Sequence, residues 1–269
     1  MVVLGALVAP LLLPLGLFAP TGVRAVFMVW AWLCIECAGL VAAAVMRPSN
    51  IEGHYRLQRW WSAQLWGALS GLYGLRVQVE GETGPGPFLL LVRHASTADT
   101  LLPAVLVANP QKRRLRYVLK DELRWDPCLG LVGERLPNAF VRRGQGDVDR
   151  IAALAQDLGQ DAVVLWPEGT RFRPHKVKPP FKHTLAPRSG GVLTVLQQTP
   201  MDVVFCAHTG FEGVRRMSDL WNGTLLNQTV HVRLWRATPP RDDRAAWLQE
   251  QWLDVDAFVG AHQQPEPGA

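Results

Sequence analysis

The stretch Pro87–Thr100, PFLLLVRHASTADT, decides the fold. Its apolar part, Phe88 to Val92, runs without polar alternation and follows Gly84-Pro-Gly-Pro87, which predicts a strand covered on both faces. Strands of that kind belong to α/β domains, whose ligands bind in the crevice beyond the carboxyl ends of the strands. His94 stands at that end, with Asp99 shortly after it.

Working outward, the chain from Leu75 alternates strand and helix patterns. Candidate strands are LRVQVEG, PFLLLVR, RLRYVLK, AFVRR, AVVLWPEG, DVVFCAH and TVHVRLWRA. Helices are expected over 98–108, 121–135, 146–159, 188–198 and 241–262. The prediction is an α/β domain with a mostly buried mixed sheet flanked by helices. With 269 residues and 48% hydrophobic content, the chain can bury one sizeable core.

At the end of the first buried strand, a turn can fold Asp99 back under the His94 imidazole. A carboxylate there fixes the tautomer and leaves the other ring nitrogen free to take a proton from a hydroxyl. The competing reading is a helix cap, because Ser96-Thr-Ala-Asp99 has the S-x-x-D spacing of a capping box. A second strand, DAVVL, ends in Trp166-Pro-Glu-Gly-Thr-Arg171. Gly169 permits close backbone approach, Thr170 offers a hydroxyl, and Arg171 a planar fork suited to phosphate. A third strand ends in Phe140-Val-Arg-Arg143. Three strand ends with polar or basic groups fit a shared crevice for an anionic substrate.

The amino-terminal residues differ in character. Residues 2–22 carry no charge, and after Arg24 a second apolar run has Glu36 as its only ionisable group. Each run is long enough to span a bilayer, so a membrane hairpin is expected, with Glu36 neutral or facing the partner helix. Arg47, Arg56 and Arg59 follow at once, which places the rest of the chain on the cytoplasmic side. The segment 51–74 mixes those arginines with Trp60, Trp61 and Trp66, and Leu57, Trp61, Leu65 and Leu69 recur at helical spacing. It reads either as an interfacial helix or as an amphipathic helix packed on the domain.

In order, HxxxxD at His94 to Asp99, FVRR at 140–143 and WPEGTR at 166–171 resemble the first three blocks of the glycerolipid acyltransferases, typified by 1-acylglycerol-3-phosphate acyltransferase. FKHTLAPRSGG at 181–191 is similar to the corresponding segment of the lysocardiolipin acyltransferase branch and its bacterial relatives. Arg93, Arg142 and Trp166 depart from the residues common at their places, and the fourth block, TPMDVVFCA at 199–207, lacks its later proline.

The resemblance implies transfer of a fatty acyl group from acyl-CoA or acyl carrier protein to the free hydroxyl of a lysophospholipid. His94 is then the general base and Asp99 its orienting partner, while Arg143, Glu168, Gly169, Thr170 and Arg171 hold the acceptor. The hydropathy, the spacing and the tail's composition together give the expected division into a membrane-embedded hairpin (1–50), an interfacial linker helix (51–74), an acyltransferase domain (75–262) and a flexible tail (263–269). The expected location is a bacterial inner membrane. A non-catalytic lipid-binding protein on the same fold and a lipid or thioester hydrolase are the alternatives.

A thioester is already activated, so the chemistry calls for no cofactor, metal or cysteine nucleophile. Cys34 and Cys37 form a CxxC within an apolar run, without a second ligand pair, and are expected to be buried thiols. The net charge of +5 fits an anionic partner. KRRLRYVLK at 112–120 suggests nucleic acid, but no helix-turn-helix or RNA-recognition signature accompanies it, and a bilayer is the expected partner.

Overall fold

The computed structural model describes residues 20–142 and 147–262. Phe88–Val92 is a strand with every side chain buried. Alternate residues feed two separate cores: Phe88, Leu90 and Val92 join one, Leu89 and Leu91 the other. A strand sandwiched between two layers has no wet side, which is why the run has no polar member.

The strands are β1 (Arg76–Glu80), β2 (Phe88–Val92), β3 (Leu115–Lys120), β4 (Ala139–Val141), β5 (Ala162–Leu165), β6 (Asp202–Thr209) and β7 (Thr229–Ala237). They form one seven-stranded sheet in the order β1-β7-β6-β2-β5-β3-β4. Only β6 and β7 pair antiparallel, so the sheet is mixed, as the pattern predicts. From β6 across to β4 the strands run the same way. Their carboxyl ends therefore share one edge, with β6, β2 and β5 side by side in the middle.

One face of the sheet is covered by α1 (Thr21–Val45) and α2 (Ile51–Tyr73), whose Ala25, Met28, Leu65 and Leu72 enter the same core as Phe88. The other carries α5 (Ser189–Gln198) and α6 (Arg244–His262), with Trp252 fully buried. Two shorter helices, α3 (Pro127–Arg135) and α4 (Val148–Ala153), complete the helical layer. The helix expected over 98–108 is broken into a 3-10 turn, Ala98–Leu101, and a π turn, Ala104–Ala108. Pro103 between them has no amide with which to continue an α-helical ladder.

The first apolar run, residues 2–22, lies almost wholly outside the described residues. The second is α1, long and apolar enough to cross a membrane by length and composition. Its inner face carries mainly small residues, Ala25, Ala31, Gly39 and Ala43, with Met28 and Glu36, and at Gly39 an added Cβ would lie 2.6 Å from the Cys128 sulfur, so a larger residue would have to displace that side chain. Glu36 faces the helix Ile51–Tyr73 that follows, not the first apolar run, and accepts a 2.9 Å bond from the Trp61 indole there. The outer face remains apolar and exposed, with Val26 60%, Trp30 51% and Val45 83% accessible. Cys37 lies on that exposed side and Cys34 is only half-buried, against the expectation of buried thiols, because one residue on from the packed Glu36 the helix has turned by about 100°.

Helix α2 starts at Asn50, whose side chain accepts from the Gly53 amide, and ends at Gly74 in the left-handed region. Leu57, Leu65 and Leu69 of its apolar stripe are buried in the protein. The amphipathic helix packed on the domain is thus the arrangement of that stripe. The KRRLRYVLK arginines are engaged internally: Arg113 donates to the Gly86 carbonyl, Arg114 pairs with Glu52, and Arg116 with Asp161.

Candidate active site

β2 delivers His94 to the shared strand edge, and the following turn brings Asp99 back beneath it. Asp99 is fully buried, whereas the His94 side chain keeps 19% exposure. His94 Nδ1 lies 3.0 Å from Asp99 Oδ1 and 3.3 Å from Oδ2. A carboxylate oxygen accepts, so Nδ1 carries the proton and Nε2 is left with a lone pair.

The cap and the imidazole contact coexist. Asp99 Oδ2 also accepts from the Ala95 and Ser96 amides, each at 2.7 Å, and the Ser96 hydroxyl accepts from the Ala98 amide at 3.0 Å. One oxygen mainly ties the turn and the other mainly orients the ring. Fixing the loop and fixing the imidazole are one structural act.

β5 supplies the neighbouring wall. Trp166 packs against both the His94 ring, at 5.9 Å between centroids, and the Tyr117 ring, at 6.3 Å. Glu168 departs from its expected place at the headgroup. It is buried, and its two oxygens accept from the His94 amide at 2.7 Å and the Leu185 amide at 3.0 Å. Both oxygens are turned inward on backbone, so Glu168 braces the His94 peptide. Burial pushes its carboxyl up to about 7, against the pull of the His94 amide and the Arg93 guanidinium.

Gly169 has φ +66°, a conformation that an L side chain resists, and a Cβ there would sit 3.2 Å from Arg188. Thr170 is half-buried beside it. Arg171 reaches across to the His94–Asp99 turn, donating to the Thr97 hydroxyl at 2.7 Å and to the Arg215 carbonyl. Thus His94, Asp99, Gly169, Thr170 and Arg171 are brought to one place. Arg143 lies outside the described residues. Its neighbour Arg142 is exposed, paired with Asp121, and on a strand three positions from β2.

Sequence reasoning misses several residues of this site. Asp256 of α6 accepts from the Lys182, His183 and Thr184 amides and so holds the loop that Glu168 ties through Leu185. Arg93 and His208, both fully buried, flank the base from β2 and β6. The available signal was the polar ending of DVVFCAH, which parallels that of FLLLVRH. Among the described residues no cluster of His, Cys, Asp or Glu could hold a metal.

Comparison with known proteins follows the same outline. The Acyltransferase family model matches residues 76–209. A lyso-ornithine lipid O-acyltransferase of Pseudomonas aeruginosa is 35% identical over 117 residues, which cover 43% of this chain and 42% of that protein. The matched part therefore spans less than half the length of that curated relative. The crystal structure of a 1-acyl-sn-glycerophosphate acyltransferase from Thermotoga maritima superposes with a TM-score of 0.62 at 14% identity, covering 90% of this chain and 99% of that one. At that identity the likeness is one of fold.

Proposed function

We propose, from the Acyltransferase family match over residues 76–209 and the stretch shared with a lyso-ornithine lipid O-acyltransferase, that the chain moves a fatty acyl group from acyl-CoA or acyl carrier protein to the free hydroxyl of a lysolipid. The observation that carries this reading is the His94–Asp99 pair, whose unprotonated Nε2 stands at the strand edge beside the Gly169–Arg171 turn. His94 Nε2 takes the hydroxyl proton as the acceptor oxygen attacks the thioester carbonyl. The C–O bond forms, the C–S bond breaks, and the imidazolium returns its proton to the departing thiolate. Asp99 stabilises the imidazolium without taking its proton.

The acceptor is read as a lysophospholipid, 1-acyl-sn-glycerol 3-phosphate or a close relative. Arg171 meets its phosphate, with Thr170 and the Gly169 backbone alongside and Arg143 as a further cation. Glu168 acts on the base instead of the headgroup. The name of the Pseudomonas aeruginosa relative favours a second reading, a lyso-lipid with an amino-acid headgroup, whose carboxylate would take the place of the phosphate at Arg171. Neither needs a metal or redox cofactor, because the thioester supplies the activation.

The exposed apolar outer face of α1 meets the bilayer, and with Arg47 and Arg56 just after it holds the site against the inner membrane on its cytoplasmic side. A lysolipid then enters from the membrane plane. The test is a competition in which purified enzyme receives one thioester and an equimolar mixture of lysophosphatidic acid and lyso-ornithine lipid, with products resolved by mass spectrometry. Phosphatidate as the main product supports the first reading, and ornithine lipid the second. Free fatty acid alone would make the protein a hydrolase.

A further inference from the structure

We propose that His208 is a positioning residue for the base, locking the end of β2 so that His94 is held at its reacting geometry; this rests on His94 being the base. The His208 ring is fully buried, and its Nε2 lies 2.8 Å from the Arg93 carbonyl, the peptide that leads into His94. A carbonyl only accepts, so Nε2 carries the ring proton. In return, Arg93 Nη1 donates to the His208 carbonyl at 2.7 Å and to Glu212 at 2.5 Å. Side chain and backbone are thus exchanged reciprocally between the ends of β2 and β6, which are already paired through Val92 and Cys206.

This clamp completes a pattern around one residue. Glu168 takes the His94 amide, the Phe172 amide donates to the His94 carbonyl at 2.7 Å, and Asp99 takes the next two amides. His208 holds the peptide on the remaining side. Its Nε2 is 3.8 Å from Asp99 Oδ2, beyond hydrogen-bond reach, so the proton is spent on Arg93 and the carboxylate is left to His94. Burial pushes His208 towards its neutral form in spite of the nearby Asp99 charge. His208 Nδ1 and Arg93 Nε have no hydrogen-bond partner, a cost that leucine and valine would not incur here. Sites that keep such a cost are commonly ones where geometry matters to function.

The test compares His208→Asn with His208→Gln in the full-length chain. The two side chains share one amide chemistry, but only Gln reaches far enough to donate where Nε2 does. The expected result is that His208→Asn lowers kcat about ten- to hundredfold while both KM values hold, that His208→Gln recovers most of it, and that His208→Asn adds little to an Asp99→Asn background. Losses that multiply with Asp99→Asn, equal defects in the Asn and Gln variants, or wild-type kcat in His208→Asn beside an inactive His94→Ala would each overturn the positioning role. An active His94→Ala would overturn the base itself, and this inference with it.

Discussion

Replacing Asp99 by Asn separates the two tasks that its carboxylate performs. Asn keeps one oxygen, which can still accept from the Ala95 and Ser96 amides now bound at 2.7 Å. The amide nitrogen then faces His94 Nδ1. It can only donate, so Nδ1 must become the acceptor and the ring proton moves to Nε2, the atom that has to take the hydroxyl proton. The opposite rotamer would set an NH2 group against two buried amides, leaving donors unpaired at about 1–3 kcal/mol each, so the inverted tautomer wins. Asp99→Asn should therefore fold close to normally and lose on the order of a thousandfold to ten-thousandfold in kcat, about 4–5.5 kcal/mol of barrier. Asp99→Ala gives up both charge-assisted backbone bonds as well, about 3–6 kcal/mol, which is a large share of a typical domain's stability. Thiol release from acyl-CoA in detergent, together with thermal melts of each variant, reads both effects. An Asp99→Asn enzyme with near-normal kcat would refute the orienting role, and one that melts as early as Asp99→Ala would show that the turn alone needs the carboxylate.

Three further outcomes follow from the same geometry. Because the folded chain holds the Glu168 proton up to about 7 rather than 4.5, its contribution to stability is complete below about 4.5 and fades as pH rises towards 7, by about 3 kcal/mol; Glu168→Gln, which cannot titrate, should lose less stability than wild type between pH 5 and 8 in denaturant melts, and equal losses would contradict this. Arg171→Ala should raise the acceptor KM about ten- to hundredfold, and Arg171→Lys less, with the thioester KM unmoved, because the planar fork beside Thr97 is what lysine cannot supply; steady-state kinetics with a phosphorylated acceptor decides it. Val26→Asp combined with Val41→Asp, both on the exposed face of α1, should weaken co-sedimentation with anionic vesicles, at about 2.5–3.5 kcal/mol per charge if buried in the bilayer, and spare turnover of a short-chain soluble acceptor. Unchanged sedimentation would remove that face from the membrane.

Local pattern carries much of the architecture here because the physics of burial is local. Phe88–Val92 lacks polar residues since both of its faces are covered, and the same logic exposes β5 and β6 in the sequence. The His94–Asp99 turn is legible for a similar reason, its hydrogen bonds spanning at most a few residues of chain. Glu168 is not, because the left-handed Gly169 aims the neighbouring side chains and its amide partners, His94 and Leu185, come from separate loops. His208 and Arg93 meet across 115 residues of sequence, and no periodicity encodes such a pairing. The capping and orienting readings of Asp99 could not be separated in the sequence for a physical reason: the two carboxylate oxygens serve both.

The most direct test of the account follows a labelled acyl group from its thioester in a single turnover, with lysolipid present, in wild-type enzyme and in His94→Ala. The prediction is label in the acylated lipid for wild type, no label there for His94→Ala, and unreacted thioester as the balance in the variant. Label appearing in the lipid at the wild-type rate with His94→Ala would contradict the base, and label passing only to free fatty acid in the wild type would contradict acyl transfer itself.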